Sequence, residues 1–184
     1  YLPLFNIVDI KSVTPAYSNP VIFLFLGGFI VARALEKTHL DERLALTILH
    51  ITGKNDRGIV LGFVIATAGL SMWISNTATT VMMVPIAFSV VHFLEKNLKA
   101  DTLNSFANMQ IVLFLSIAYA ANIGGIMTPV GTPPNVVFMG YLNDLYGTSV
   151  DFYKWILATA HVAILVLALM VFLLRKIYPF AVPL

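Results

Sequence analysis

The chain has 184 residues, of which 59% are hydrophobic and 11% charged, with a net charge of +2 and no cysteine. Soluble domains carry about 25% charged residues, and a mean hydropathy of +0.87 built from long apolar runs points to a bilayer as the solvent. So small a net charge gives nucleic acid no footing. The missing cysteines exclude a disulfide framework, a thiolate metal site and a cysteine nucleophile.

Residues 1–20 contain Pro3, Pro15 and Pro20 with Asp9 and Lys11. They read as loop or interfacial sequence, with Tyr17-Ser18-Asn19 before Pro20 as turn chemistry. They lack the basic-then-apolar order of a signal peptide and read as mid-chain sequence. The stop at Leu184, just past a span boundary, likewise reads as a fragment. Val21–Leu35, with Gly27-Gly28 inside it, predicts a first membrane helix. The spacing of Leu40, Leu44, Ala45, Ile48 and Leu49 predicts an amphipathic helix lying at the interface. Lys54–Gly58 is a polar turn.

Gly58–Ile74 is apolar, the polar cluster Ser75-Asn76-Thr77-Ala78-Thr79-Thr80 follows, and Val81–Leu94 is apolar again apart from Pro85. A full span needs about 20 apolar residues, and both arms fall short of it. Two short arms sharing one polar tip predict a re-entrant helical hairpin; two tilted spans joined by an exposed loop are the alternative. Asn97–Asn108 reads as a polar loop. Met109–Met127 is apolar up to Asn122 and Gly124-Gly125, and Val136–Leu142 is apolar after it. Between them, Thr128-Pro129-Val130-Gly131-Thr132-Pro133-Pro134-Asn135 cannot be continuous helix, because proline removes the N–H and clashes with the preceding turn. The pattern predicts a helix broken in the middle. Trp155–Leu174 is a clean span closed by Arg175-Lys176. With the hairpin entering and leaving on one side, Lys37, Arg43, Lys54, Arg57, Lys96, Lys99, Arg175 and Lys176 share that side, which the positive-inside rule makes cytoplasmic.

Two polar segments, 75–80 and 128–135, are therefore expected unwound at membrane depth. Irregular backbone is not tolerated against lipid and must face protein or an aqueous cavity. Carriers use such breaks to hold a cation on freed carbonyls and to attract an anion with half-helix N-termini. Ser71, Ser75, Asn76, Thr77, Thr132 and the Gly131 carbonyl offer neutral oxygens of the kind a monovalent cation takes. The absence of a carboxylate in either segment argues against a divalent-metal site. His39, His50 and His92 read as interface residues, and His161 as a packing hydrogen bond inside the last span. No Ser/His/Asp arrangement reads as a hydrolase, so no enzyme is expected.

Ser71 to Thr80 followed by Val81-Met82-Met83-Val84-Pro85-Ile86 resembles the Ser-Asn-Thr hairpin of the divalent anion/sodium symporter family, which includes sodium-dependent dicarboxylate and citrate carriers. Ala121–Gly125 with Thr128–Asn135 resembles its second signature, and Leu26–Phe29 with Ala32–Lys37 its preceding scaffold helix. The resemblance spans nearly the whole chain. It implies an all-α integral membrane fold: one half, the N-terminal one, of an inverted-repeat elevator transporter. The scaffold and interfacial helices would occupy 1–57, a transport-domain half 58–154 (hairpin 58–94, broken helix 109–142), and a final transmembrane helix 155–184. It further implies sodium ligands at Ser71, Ser75, Asn76 and Gly131, with substrate-carboxylate contacts at Asn76, Thr77, Thr132 and Pro133. No cofactor beyond the coupling sodium ion is implied. The expected protein is a multi-pass cell-membrane homodimer, completed by a C-terminal half carrying the second hairpin. A channel, and an anion or proton-coupled carrier of the same broad superfamily, are the rival readings. The sequence does not select among succinate, malate, citrate and sulfate.

Overall fold

The computed structural model describes residue 5 and residues 9–11, 20–53, 55–96, 103–148 and 150–181. Among these it is all-helical, with seven helices longer than a turn: α1 Pro20–Lys37, α2 Leu40–Thr52, α3 Asp56–Ser71, α4 Asn76–Glu95, α5 Leu103–Ile126, α6 Pro133–Tyr146 and α7 Phe152–Ile177. Most of the expected 1–20 loop, along with Lys54 and 97–102, lies outside the described residues.

Local chemistry sets the helix ends. Thr38 donates its hydroxyl to Ala34 O at 2.8 Å, and His39 takes a left-handed backbone with φ 51°. A residue in that region cannot continue a right-handed helix, so α1 and α2 are separate helices, as the two predicted segments were. Asn55 caps α3, accepting from Gly58 N at 2.6 Å, which satisfies one N–H orphaned at the helix start. Gly147, at φ 61°, closes α6 in the left-handed conformation that glycine adopts without a Cβ penalty. Arg175 and Lys176 occupy the last turn of α7, where they complement the macrodipole.

Three helices are long and apolar enough to cross a membrane: α4, α5 and α7. The expected first span forms as α1, but Arg33, Glu36 and Lys37 in its last turns dilute it, and it is not among the three. The second hairpin arm is longer than its apolar run of 81–94 suggested: α4 has 20 residues, or about 30 Å. Its first turns are the Asn-Thr-rich segment itself, capped by Ser75. Likewise α5 starts at Leu103 rather than after Asn108, because Phe106 and Met109 are buried in the core and draw those turns into helix.

α5 is the centre of the bundle, with α3, α4 and α7 packed against it. Phe63, Met83, Met109, Leu113 and Ile117 are fully buried where α3, α4 and α5 meet. Gly124 lets α3 approach: a Cβ there would lie 2.3 Å from Ala68 O and 2.6 Å from Ala68 Cα. α7 turns the opposite way. Leu157, Ile164, Leu165, Leu169, Phe172 and Ile177 are all more than half exposed, a large apolar face of the kind that water-soluble monomers do not carry and a bilayer requires.

Candidate functional site

α3 and α5 run in the same direction, and both break at the same level. After Ser71 the chain turns through Met72–Ser75 into α4; after Ile126 it turns through Met127–Thr132 into α6. The irregular stretches are thus shorter than expected and lie earlier in the chain. Asn76–Thr80 and Pro133–Asn135 are helical, because Ser75 caps the first and proline suits the first helical positions, whose N–H groups have no intrahelical partner.

The two breaks are bound to each other. Thr128 donates its hydroxyl to Met72 O and accepts from Gly131 N at 3.1 Å. A Cβ on Gly131 would meet Gly125 O at 2.6 Å and Ser71 O at 2.8 Å, and one on Gly125 would meet Asn76 Oδ1 at 2.2 Å. At Gly131 those atoms are backbone and only glycine fits, whereas at Gly125 a Cβ would displace the Asn76 amide. Three of the four expected sodium ligands, Ser71, Asn76 and Gly131, are therefore gathered around Gly125. The fourth, Ser75, is exposed and spends its hydroxyl as the α4 cap, accepting from Ala78 N at 3.3 Å.

The oxygens outnumber the protons here. Ser71 Oγ lies 2.8 Å from Asn76 Oδ1 and 2.7 Å from Ala121 O. A hydroxyl has one proton to give, and Ala121 O also has its helical donor at residue 125 inside α5, so Asn76 Oδ1 is the oxygen left short beside a fully buried Ser71. Asn76 Nδ2 is turned away, donating to Asn122 Oδ1 at 3.1 Å, so Asn122 fixes which end of the Asn76 amide faces Ser71.

The α5–α6 break can be followed carbonyl by carbonyl. Gly124 O accepts from Met127 N at 3.0 Å. Gly125 O and Thr128 O accept from Asn135 Nδ2, at 2.9 Å and 2.7 Å. Ile126 O accepts from Trp155 Nε1 at 2.9 Å, Met127 O from the Thr159 hydroxyl at 3.3 Å, and Thr132 O from Asn135 N at 3.2 Å. Among the described residues, no donor reaches the carbonyls of Pro129, Val130 or Gly131. Helical continuation would have supplied them from 133, 134 and 135. Pro133 and Pro134 have no N–H, and Asn135 N is committed to Thr132 O.

The expected substrate contacts sit on the outer side. Thr77 is exposed in the first turn of α4, Thr132 is half-buried at the start of α6, and Pro133 is exposed. The start of α4 carries N–H groups suited to an anion, whereas α6 opens on Pro133 and Pro134, which have no N–H. Three basic side chains are engaged elsewhere: Arg33 pairs with Glu36 at 2.9 Å, Lys154 with Asp151 at 3.2 Å, and Arg175 lies over Phe180. A larger cleft of about 830 Å³ lies between α3 and α7. Its walls are mostly apolar, Val64, Ala68, Leu167 and Val171 among them, with Arg175 and Lys176 also lining it.

Sequence reasoning gave no role to Asn122, Asn135, Trp155 or Thr159. Asn122 and Asn135 stood inside the quoted motifs, and a polar amide next to a proline-broken apolar run was the available signal. Nothing near Trp155 or Thr159 marked them, since their carbonyl partners are about a helix away in sequence. His161, read as a packing hydrogen bond, places Nδ1 3.0 Å from Leu157 O of its own helix.

A match to the citrate transporter family covers residues 1–183. Sodium-dependent dicarboxylate transporters SdcS are similar to this chain: 37% identical over 177 residues in Staphylococcus saprophyticus and 38% identical over 177 residues in Staphylococcus aureus, in each case covering 96% of this chain. The chain spans about a third of the length of these curated relatives, 34% in both. Family and relatives are transporters, not enzymes, as the motifs implied.

Proposed function

The chain belongs to the citrate transporter family, and we propose that it supplies one half-site of a sodium-coupled carrier for small divalent anions such as C4-dicarboxylates. Ser71, Asn76 and the Gly131 carbonyl hold sodium, with Ser75 completing the set when its cap opens. Thr77, Thr132, Pro133 and the Asn76 amide receive a substrate carboxylate. The observation that carries this reading is the excess of unprotonated oxygen at the breaks: one shared Ser71 proton, and three backbone carbonyls without a donor. Such a cluster lowers its energy by taking up a cation, and it lacks the carboxylates of a divalent-metal site.

The anion needs no dedicated arginine in this half. It meets hydroxyls, an amide and the N-terminus of α4, and bound sodium supplies the remaining positive charge. Gly58–Leu94 acts as a re-entrant hairpin whose tip, Ser75–Thr77, faces the binding site. The division into scaffold 1–57 and transport half 58–154 belongs to the same proposal. Trp155 and Thr159 tie α7 to the α5–α6 break, so residues 155–184 move with the transport half. The complete protein works as a homodimer in the cell membrane, by elevator-type displacement.

Asn76→Ala in the full-length protein tests the assignment. Sodium-dependent dicarboxylate uptake is expected to fall by more than about ten-fold at unchanged surface expression. Retained uptake with an unchanged sodium dependence refutes it.

A further inference from the structure

We infer that Asn135 is the positioning residue of the cation site: its side-chain amide decides which carbonyls of the α5–α6 break remain free for the ion. This deepens the sodium reading above and rests on it. Asn135 is 7% exposed, and its Nδ2 reaches Gly125 O at 2.9 Å and Thr128 O at 2.7 Å. Two carbonyls can be satisfied together only by the nitrogen end of the amide, whose two protons match them one to one. The backbone cannot do this work. The helical donor to Gly125 O would be residue 129, which is proline and has no N–H.

The consequence is a division of labour along eight residues. Carbonyls 124, 125, 126 and 128 have donors in Met127 N, Asn135 and Trp155, and Met127 O shares the Thr159 hydroxyl with Trp155 O. Among the described residues no donor reaches carbonyls 129–131, and of these residues Gly131 lies against Ser71 O and Gly125 O. Without the Asn135 amide, Gly125 O and Thr128 O would be unpaired within the same buried segment. They would compete with Gly131 O for the ion or turn the segment to find another donor. The Asn135 backbone adds a second constraint, because its N–H, directed to Thr132 O at 3.2 Å, is thereby withheld from Gly131 O.

Asn135→Asp in the full-length protein separates this role from mere proximity. The side chain keeps its shape but loses the donor. If Asn135 only sat near the ion, the added negative charge would tighten sodium binding. If it brackets the carbonyls, sodium binding weakens, on the order of 10- to 100-fold as for other residues that orient a metal ligand. The readouts are the sodium concentration for half-maximal uptake and sodium-dependent thermal stabilisation of purified protein. Asn135→Ala, smaller and uncharged, is the second variant and is expected to weaken sodium in the same direction. Asn135→Ser, which keeps one hydroxyl donor, should fall between alanine and wild type. Asn108→Asp breaks a comparable amide bond, to Pro179 O at 2.9 Å, away from the breaks, and should leave sodium affinity unchanged. An unchanged or higher sodium affinity in Asn135→Asp and Asn135→Ala overturns the inference. If wild-type protein shows no sodium-dependent stabilisation at all, the sodium reading fails instead, and the two outcomes are not confused.

Discussion

Gly125 is a position where one methyl group decides whether the site can form. A Cβ there would stand 2.2 Å from Asn76 Oδ1, inside any permitted contact, and the atom it displaces is the oxygen left short beside Ser71. Gly125→Ala is therefore expected to abolish sodium-dependent uptake while leaving the helices intact, since alanine is a better helix former than glycine. Circular dichroism unchanged with uptake lost is the predicted pair of results; normal uptake with normal sodium dependence would mean that Asn76 does not face the ion. Thr128→Val tests the link between the breaks. It keeps the volume and removes a hydroxyl that touches both Met72 O and Gly131 N. Loss of a buried hydrogen bond whose partners stay behind costs about 1–3 kcal/mol. A lower melting temperature together with weaker sodium stabilisation is the expected outcome. A variant with wild-type sodium stabilisation would show that the two breaks bind independently.

The paired α3 and α4 helices have unequal arms. α3 has 16 residues, about 24 Å and short for a span, whereas α4 at 20 residues could cross. The re-entrant reading is open to chemical labelling, and burial decides where the probe goes. Thr79 is fully buried and Thr77 is exposed, so a cysteine at Thr77 reports on the tip and one at Thr79 would report on packing. In full-length protein, an impermeant thiol reagent should label Thr77→Cys from one side at a time, with protection by sodium plus substrate. Rapid labelling from the outside under every condition would instead mean two ordinary spans and a loop. The seam between α3 and α5 rests on Gly124 against Ala68. In a bilayer, helices associate by close packing of small residues rather than by the hydrophobic effect. Gly124→Leu should therefore separate them and lower the melting temperature, with overpacking worth about 1–3 kcal/mol.

On the scale of the molecule, the apolar face of α7 turns outward while its first turns hold the broken segment by Trp155 and Thr159. In the proposed carrier the ligands are coupled through the site itself. If bound sodium supplies the positive charge that the anion meets, substrate affinity must rise with sodium concentration, and sodium affinity with substrate, by the same factor. Titrating dicarboxylate binding to the full-length protein in sodium and in choline medium measures that factor. Equal affinities in the two media would dismiss the shared site.

The apolar runs, the two interruptions and their motifs could be read along the chain, because the causes are local. Proline removes its own N–H wherever it stands, and a run of apolar residues seeks a bilayer whatever surrounds it. For the same reason Pro133-Pro134 already implied that some carbonyls before them would lack donors. Which ones stay free is not a local matter. Asn135 reaches back 10 and 7 residues to Gly125 and Thr128, and Trp155 and Thr159 reach back 29 and 32 to Ile126 and Met127. A donor finds an acceptor at such separations only after helices have packed in one register. The helical state of Asn76–Thr80 was missed because a cap at Ser75 outweighed the turn preference of its Asn and Thr residues. The gathering of Ser71, Asn76 and Gly131 belongs wholly to packing: α3 and α5 must lie close enough, across Gly124 and Gly125, for two breaks 56 residues apart in hydrogen-bonded partners to become one oxygen-rich surface.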